Sequence, residues 1–196
     1  MNKKYLESIK VIDGEIFHLQ WHQSRVDSVF NSLSCKSLFL LKEIINPPAH
    51  GLYRCRVIYD ALHVEVSYIP YIKRSIKTLK LVHNDTIEYS KKYANRELLE
   101  ELYLLHEHCD DILIVKNNYV TDTTIANIAF FDGVKWFTPK HPLLCGTTRA
   151  RFLYEKKIFE KNITPADIKT FKRVALMNAM IDFDIITEDN CEDIIC

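Results

Sequence analysis

Lys92 is a residue whose type could do covalent chemistry. It lies in the basic segment Ser90–Arg96, between a predicted strand and a strongly periodic helix. A lysine acts as a nucleophile and proton carrier when its amine is held neutral in a desolvated place. Lysines in such segments are usually solvated, so the segment alone favours an ordinary surface residue. Its interpretation therefore depends on residues further along the chain.

A second candidate is Gly146, which precedes Thr147 and Thr148 at the start of a predicted helix. The unbonded backbone N–H groups of a first helical turn, together with the positive end of the helix dipole, suit a phosphate group. An ordinary threonine cap explains the same three residues. Taken alone, they favour the cap.

Three further positions have side chains suited to binding an ion. Arg25 lies at the margin of an apolar helical stripe, where its planar fork suits a phosphate and where a surface ion pair is an equal alternative. Asp122 lies between a strand and two threonines, a position typical of a turn aspartate. Asn178 lies near the end of a predicted strand, a position that is also typical of a turn residue.

The histidines and cysteines do not predict a metal site. His18 and His22 are four residues apart, and His106, His108 and Cys109 cluster in the sequence. Neither group has a third and fourth ligand at a spacing typical of zinc.

Apolar periodicity predicts the elements that position these residues. The predicted strands are Tyr5–Val11, Glu15–His18, Leu52–Tyr59, Leu62–Tyr68, Thr78–His83, Asp111–Val115, Tyr119–Thr121, Ile125–Phe131, Val134–Thr138, Arg173–Asn178 and Ile181–Ile186. The predicted helices are Gln20–Leu33, Ser37–Ile45, Arg96–His108 and Thr147–Lys161, and a further helix begins at Thr164-Pro165-Ala166-Asp167. This mixed order predicts an α+β fold.

Composition limits the classes of protein to consider. The 196 residues carry no net charge, which gives no indication of a nucleic-acid partner. No apolar run approaches the roughly 20 residues of a membrane-spanning helix, and the N-terminus has no apolar signal core. The six cysteines include no Cys-x-x-Cys pair. We therefore expect a cytoplasmic protein with free thiols and no membrane partner.

The order of these groups resembles the class IV aminotransferase family, the fold-type IV pyridoxal-phosphate enzymes. The resemblance covers nearly the whole chain, although the N-terminal strand region that usually precedes it is absent. It rests mainly on four segments: Leu19-Gln-Trp-His22-Gln-Ser-Arg25-Val (similar to His-x-x-Arg-Leu), Lys92-Tyr-Ala-Asn-Arg96 (Lys-x-x-Asn-Arg, common among aminodeoxychorismate lyases), Asp122-Thr-Thr-Ile-Ala-Asn127, and Leu144-Cys-Gly-Thr-Thr-Arg149 (Leu-Pro-Gly-x-x-Arg, with Cys145 replacing proline). Leu6-Glu-Ser-Ile-Lys10 resembles the family's Phe-Glu-Thr-Ile-Arg strand, and Leu176-Met-Asn-Ala179 places Asn178 where many members have Thr or Asn.

The resemblance implies pyridoxal 5'-phosphate as cofactor and Lys92 as its Schiff-base lysine. It places Asp122 at the acid that holds the pyridine nitrogen, where most members have glutamate, and Asn127 at the end of the same segment. It implies phosphate contacts from Arg25, Gly146, Thr147, Thr148 and Asn178. It also implies a small N-terminal α/β domain (1–80), a larger C-terminal cofactor-binding α/β domain (81–196), the cofactor between them, and a homodimer.

The function implied first is that of a 4-amino-4-deoxychorismate lyase, which makes 4-aminobenzoate and pyruvate for folate synthesis. Lys92 would take the proton from ring C4 of this small-molecule amine and later protonate the departing enolpyruvyl group. An aminotransferase for branched-chain or D-amino acids is an alternative, with Arg54, Arg56 or Arg149 for the substrate carboxylate. A non-catalytic family member is another, because Asp122, Cys145 and the short N-terminus depart from the family pattern.

Overall fold

The computed structural model describes residues 3–106, 108–187, 191 and 195. The chain forms two compact units, one of Met1–Lys73 with Lys91–Asn95 and one of Arg74–Ser90 with Arg96–Cys196. The expected domains 1–80 and 81–196 stay a prediction, because compactness does not show which part of a chain folds alone. The segment that contains Lys92 belongs to the first unit, and no local sequence pattern indicates this.

The first unit is built on a four-stranded antiparallel sheet. In the order β2-β1-β3-β4 its strands are Glu15–Ile16 (β2), Tyr5–Ile12 (β1), Leu52–Tyr59 (β3) and Val64–Pro70 (β4). Asp13 and Gly14 both have positive φ angles, which a two-residue hairpin turn requires, so the predicted β1–β2 hairpin forms.

Helix α1 (Leu19–Ser32) covers this sheet with Val26, Val29 and Phe30. The predicted helix 37–45 is wrong over most of its length, since α2 spans only Leu41–Ile44. The Ser37 hydroxyl donates to the Phe39 carbonyl at 2.8 Å, and such local hydrogen bonds compete with helix formation.

The Lys92 segment extends the pairing of β1. The Leu6 N–H donates to the Lys92 carbonyl at 2.8 Å, and the Ala94 N–H donates to the Lys4 carbonyl at 2.9 Å. Tyr5 and Tyr93 pair across this bridge with their ring centroids 5.7 Å apart. Short β2 leaves this half of the β1 edge uncovered, and the segment occupies it.

The second unit is a larger mixed sheet with helices. Its strands are Leu79–His83 (β5), Asp111–Lys116 (β6), Tyr119–Thr123 (β7), Asn127–Phe131 (β8), Trp136–Pro139 (β9), Phe159–Lys161 (β10), Arg173–Asn178 (β11) and Asp182–Ile185 (β12). Six follow the order β10-β9-β8-β7-β6-β5, and β11 pairs with β8 and β12. The helices are Glu97–Leu104 (α3), Thr147–Tyr154 (α4) and a 3-10 helix, Pro165–Thr170.

The core of this unit is apolar and centred on β6, β8 and β11. Leu113, Ile128, Phe130, Val174 and Leu176 are all buried in one cluster. The 3-10 helix begins with the predicted cap, in which the Asp167 carboxylate accepts from the Thr164 N–H at 2.8 Å. The two sheets and their covering helices confirm the predicted α+β class.

The predicted helix 147–161 is wrong after Tyr154. Lys156 has a φ of 56°, a left-handed conformation that ends a helix. Phe159–Lys161 then pairs in parallel with β9 as strand β10. Helix α3 likewise ends at Leu104 instead of His108, and Glu107 lies outside the described residues.

Cysteine pairing departs from the sequence expectation. Cys35, Cys55, Cys145 and Cys191 are free thiols, whereas Cys109 is disulfide-bonded. The expectation of free thiols is therefore wrong at Cys109, because spacing along a sequence does not give the distance between two thiols in the fold. Within the described ranges, no helix is long and apolar enough to cross a bilayer.

Candidate active site

Lys92 and Arg25 both belong to the first unit, where they lie near a buried acid. Lys92 is half-buried and held at its backbone by β1. Arg25 points from α1 toward Glu7 of β1 and makes a two-pronged contact, with Nε donating to Oε1 at 2.7 Å and Nη2 donating to Oε2 at 2.5 Å. His22, one helical turn earlier, donates from Nδ1 to Glu7 Oε2 at 2.6 Å.

The charge state of this group depends on its surroundings. Burial alone would raise the pKa of Glu7, which has no exposed surface. The charge of Arg25 and the hydrogen bonds from His22 and Arg25 outweigh burial and lower the pKa of Glu7 to about 2. Burial lowers the pKa of His22 despite Glu7, and the charge of Lys92 acts in the same direction. The group therefore consists of an anionic Glu7, a neutral His22 and a cationic Arg25.

This arrangement fixes the direction of the Arg25 fork. A guanidinium held on one edge by a carboxylate keeps its opposite edge in a defined orientation, as recognition of a planar or tetrahedral anion requires. The side chain of Arg25 keeps 14% of its surface exposed, whereas Glu7 keeps none. Glu7 therefore anchors Arg25 and is itself inaccessible to a ligand.

The second unit brings Asp122 and Asn127 together at the join of β7 and β8. Asn127 Nδ2 donates to Asp122 Oδ1 at 2.7 Å and also lies 2.9 Å from the Leu144 carbonyl oxygen. The Leu144 N–H donates to Asp122 Oδ2 at 2.9 Å. Both carboxylate oxygens of Asp122 are thereby oriented by the protein.

Burial dominates the electrostatics of Asp122. It raises the pKa of Asp122 to about 6, although hydrogen bonds from Leu144 and Asn127 and the charge of Arg149 act in the opposite direction. Only 4% of the Asp122 surface is exposed. An ionised Asp122 lacks solvation here, so a cationic N–H partner would stabilise it strongly.

Helix α4 begins beside this pair. Gly146 is its N-cap residue, without a side-chain cap, and buried Thr147 and Thr148 form the first turn. A Cβ atom at Gly146 would overlap Oδ1 of Asn127. Glycine is therefore required here by close approach to Asn127, and the start of the helix lies next to the Asp122–Asn127 pair.

Arg149, the last residue of the Leu-x-Gly-x-x-Arg segment, is buried and used structurally. Its Nη2 donates to the Pro139 carbonyl at 2.9 Å and to Glu160 Oε1 at 2.7 Å. These contacts tie α4 to β9 and β10. Arg149 is thus engaged within the second unit by the protein itself.

Asn178 lies at the end of β11, and its contacts are those of a turn residue. Its Oδ1 accepts from the N–H groups of Met180 and Ile181, at 2.9 and 3.1 Å. Its Nδ2 donates to the Ile125 carbonyl at 3.2 Å. A phosphate contact from Asn178 stays a prediction.

Sequence reasoning missed Glu7 and His22 as members of the site. The available signal was Glu7 itself, an acid on the face of β1 that otherwise carries Tyr5, Ile9 and Val11. A charged side chain on a buried face requires a partner. Among the described residues, no group of three or more His, Cys, Asp or Glu side chains is arranged to hold a metal ion.

Comparison with known proteins defines the class. The family model for amino-transferase class IV matches residues 63–188. An uncharacterised protein of Haemophilus influenzae is 37% identical over 180 residues, which are 89% of this chain and 96% of that protein. The chain belongs to the class IV aminotransferase family, a family of enzymes.

Solved structures agree with this assignment. A candidate 4-amino-4-deoxychorismate lyase from Haemophilus somnus has a TM-score of 0.85 and 33% identity, covering 92% of this chain and 97% of that one. A hypothetical aminotransferase from Mycobacterium tuberculosis, in a form with bound pyridoxal phosphate, has a TM-score of 0.79 at 14% identity, covering 94% and 80%. The fold is that of the fold-type IV enzymes.

Proposed function

We propose that this protein is a pyridoxal-phosphate-dependent 4-amino-4-deoxychorismate lyase that produces 4-aminobenzoate and pyruvate for folate synthesis. The observation that carries the proposal furthest is the 33% identity, over nearly the full length of both chains, to the candidate lyase from Haemophilus somnus. The Lys92-Tyr-Ala-Asn-Arg96 segment supports it, because this variant resembles that of aminodeoxychorismate lyases.

The residues present fit the cofactor. Asp122 is a buried carboxylate with both oxygens held by hydrogen bonds. Burial raises its pKa because the ionised form is poorly solvated, so a cationic N–H such as that of a pyridine nitrogen is a favoured partner. Gly146, Thr147 and Thr148 supply first-turn N–H groups for the phosphate, and Arg25 supplies a guanidinium oriented by Glu7. Asn127 holds Asp122, and Lys92 supplies the amine.

In this proposal the cofactor provides the electron sink, and the protein moves the protons. Lys92 Nζ, once neutral, would take the proton from ring C4 of the substrate. The bond between the ring and the enolpyruvyl oxygen would then break, and Lys92 would return the proton to the methylene carbon of the released enolpyruvate, which gives pyruvate. The ring product keeps the amine and becomes aromatic, and the enolpyruvyl product becomes pyruvate. Asp122 stays ionised while a cation faces it.

The first test is cofactor binding at Lys92. Purified protein mixed with pyridoxal phosphate should develop a visible absorption band, and borohydride reduction should attach the label to the peptide containing Lys92. Lys92→Ala should lose both signals. Lys91→Ala is the matched control and should keep them, because its side chain contacts Ser32 and is assigned no role in binding. Labelling scattered over surface lysines would contradict the assignment.

The second test distinguishes the chemistry. Incubation with 4-amino-4-deoxychorismate should release 4-aminobenzoate and pyruvate in equal amounts, without an added keto acid. Amino transfer from branched-chain or D-amino acids that depends on a keto acid would instead favour the aminotransferase alternative. No cofactor binding at all would favour a non-catalytic family member.

We further propose a homodimer in the cytoplasm, as is usual in the family. Four free thiols support a reducing setting, and disulfide-bonded Cys109 is the exception. Light scattering of the purified protein should give twice the 23.0 kDa chain mass. Fractionation of the source cells should place the protein with cytoplasmic markers, and its recovery outside that fraction would contradict the location.

A further inference from the structure

The turn Thr123–Ala126 connects Asp122 to Asn127, the hydrogen-bonded pair at the join of β7 and β8. Inside the turn, the Thr123 N–H donates to the Ala126 carbonyl at 3.0 Å, and the Ala126 N–H donates to Thr123 Oγ1 at 3.1 Å. Near the end of β7, Asp122 lies opposite Asn127 in the strand register. The shape of this turn therefore sets the distance between the two side chains.

Three side chains from outside the turn, those of Asp111, Arg96 and Asn178, form hydrogen bonds with it. Thr124 Oγ1 donates to Asp111 Oδ1 at 2.6 Å, from the start of β6. Arg96 Nη2, from the residue that precedes α3, donates to the Thr124 carbonyl at 2.8 Å. Asn178 Nδ2, from the end of β11, donates to the Ile125 carbonyl at 3.2 Å.

Asp111 is an unusual residue to find holding a turn. It has no exposed surface, and its Oδ2 atom has no hydrogen-bond partner in the described part of the chain. Its Oδ1 atom accepts from Thr124 and from the N–H of Ile112 at 2.8 Å. A buried carboxylate with one unsatisfied oxygen is unfavourable for stability. Such a cost is typical of residues that a functional site requires.

We propose that Asp111, Arg96 and Asn178 are positioning residues that hold the Thr123–Ala126 turn and thereby fix the Asp122 carboxylate against Asn127 and Leu144. The role of Asp122 toward the cofactor rests on the proposed function, whereas the hydrogen bonds that hold the turn are present in the protein alone. Thr124 is the central contact, since its side chain and its carbonyl are held by two different elements.

The turn must be held in place because the functional groups of a site have little positional freedom. Functional groups act within about half an ångström of their productive positions, and supporting hydrogen bonds supply this accuracy. Asp122 has one contact to Asn127 on β8 and one to the Leu144 N–H beyond it. A turn that shifts would separate these contacts and admit water to a carboxylate that is now almost fully buried.

The test uses the apoprotein and follows the ionisation of Asp122 through the side chain of Asn127. The side-chain amide of Asn127 donates to Asp122, so its nitrogen-15 resonance should titrate with Asp122, at a midpoint near pH 6. Removing the Thr124 hydroxyl in Thr124→Val should admit water and lower the midpoint by roughly half a pH unit or more, since burial is what raises it. Thr124→Ser, which keeps the hydroxyl, should have the same titration midpoint as the wild type.

The matched control is Thr86→Val. Thr86 also donates its hydroxyl within a turn of the second unit, to Asn84 at 3.0 Å, but it is exposed and belongs to a different turn from Thr124. This variant should leave the midpoint unchanged. Asn178→Ala gives a second, independent reading from another element. The charged groups near the turn, Arg96, Asp111 and Arg149, are unaltered in all four variants.

The outcomes separate the positioning role from the proposed function. An unchanged midpoint in Thr124→Val and Asn178→Ala, with only a loss of stability, would overturn the positioning role. A wild-type protein that binds no pyridoxal phosphate would overturn the proposed function, while the titration would still decide the role of the turn. A lowered midpoint together with weaker pyridoxal-phosphate binding in Thr124→Val supports both.

Discussion

Glu7 and Asp122 are both buried carboxylates, yet their surroundings move their pKa values in opposite directions. Glu7 meets a guanidinium in the same unit, and its pKa falls to about 2. Asp122 meets neutral donors, and burial raises its pKa to about 6. The charge of Glu7 is balanced by Arg25 within the protein, whereas an ionised Asp122 would be stabilised by an added cation. Their different roles result from this difference.

Glu7→Gln should destabilise the protein, because it removes the negative charge that the guanidinium of Arg25 meets at Glu7. Removing one partner of a buried ion pair costs about 3–5 kcal/mol, and the partial exposure of Arg25 places the expected loss near the lower value. Urea unfolding at pH 7 measures it. The control is Glu65→Gln, an exposed acid on β4, which should change stability by less than about 0.5 kcal/mol. Equal effects of the two variants would contradict the anchoring role.

Asp122→Asn should change how the stability of the apoprotein depends on pH. An unfolded aspartate ionises near pH 4, whereas folded Asp122 keeps its proton until about pH 6. Ionisation of Asp122 should therefore lower the wild-type free energy of unfolding from pH 4 to pH 6 relative to that of the variant, by on the order of 2 kcal/mol. The variant should lack this pH-dependent contribution to the free energy of unfolding. Its loss of one hydrogen bond should lower stability by the same amount at every pH. Parallel curves for both proteins would show that Asp122 ionises normally.

Single residues also show where sequence reasoning ends. The alternation of β1 places Glu7 on the buried face, but Arg25 and His22, 18 and 15 positions away, are identified as partners only by the packing of α1. Lys92, Asp122 and Gly146 are identifiable from sequence because they stand in segments that resemble family motifs. The family resemblance gives no place to Asp111, whose contact with Thr124 depends on tertiary structure.

At the level of elements, strands are predicted well and helix ends poorly. Strand alternation reflects one buried face and is retained in β1 and β3. The end of α4 depends instead on the left-handed backbone of Lys156, a residue type that does not indicate it. Apolar periodicity therefore extends the predicted α4 through residues that form β10.

The start of α4 yields a further prediction. In Gly146→Ala, the new methyl group would overlap Asn127 Oδ1, so the Asn127 side chain must move and its contact with Asp122 must weaken. We expect at least a tenfold loss of affinity for pyridoxal phosphate, about 1.4 kcal/mol, measured by absorption titration. Cys145→Ala, at the exposed neighbouring position, is the control and should bind like the wild type. Unchanged binding by Gly146→Ala would contradict this account.

For the whole molecule, cofactor binding should appear as added stability. A ligand that binds only the folded state at 100 times its dissociation constant adds about 2.7 kcal/mol to the free energy of unfolding. Pyridoxal phosphate should therefore raise the urea midpoint of the wild type, and Lys92→Ala should show a smaller shift. Pyridoxal without the phosphate should have less effect. Equal shifts for the two compounds would argue against a phosphate site.

The discontinuous first unit has a consequence for biosynthesis. Residues 74–90, which belong to the second unit, emerge from the ribosome before Lys91–Asn95, which completes the edge of β1. At about 5–20 residues per second, the nascent N-terminal sheet waits roughly one to four seconds for the segment that carries Lys92. Throughout that interval the backbone amide of Leu6 lacks the Lys92 carbonyl as its acceptor. The segment that carries Lys92 also completes the edge of the first sheet, so vectorial synthesis links completion of this unit to the arrival of the proposed active-site lysine.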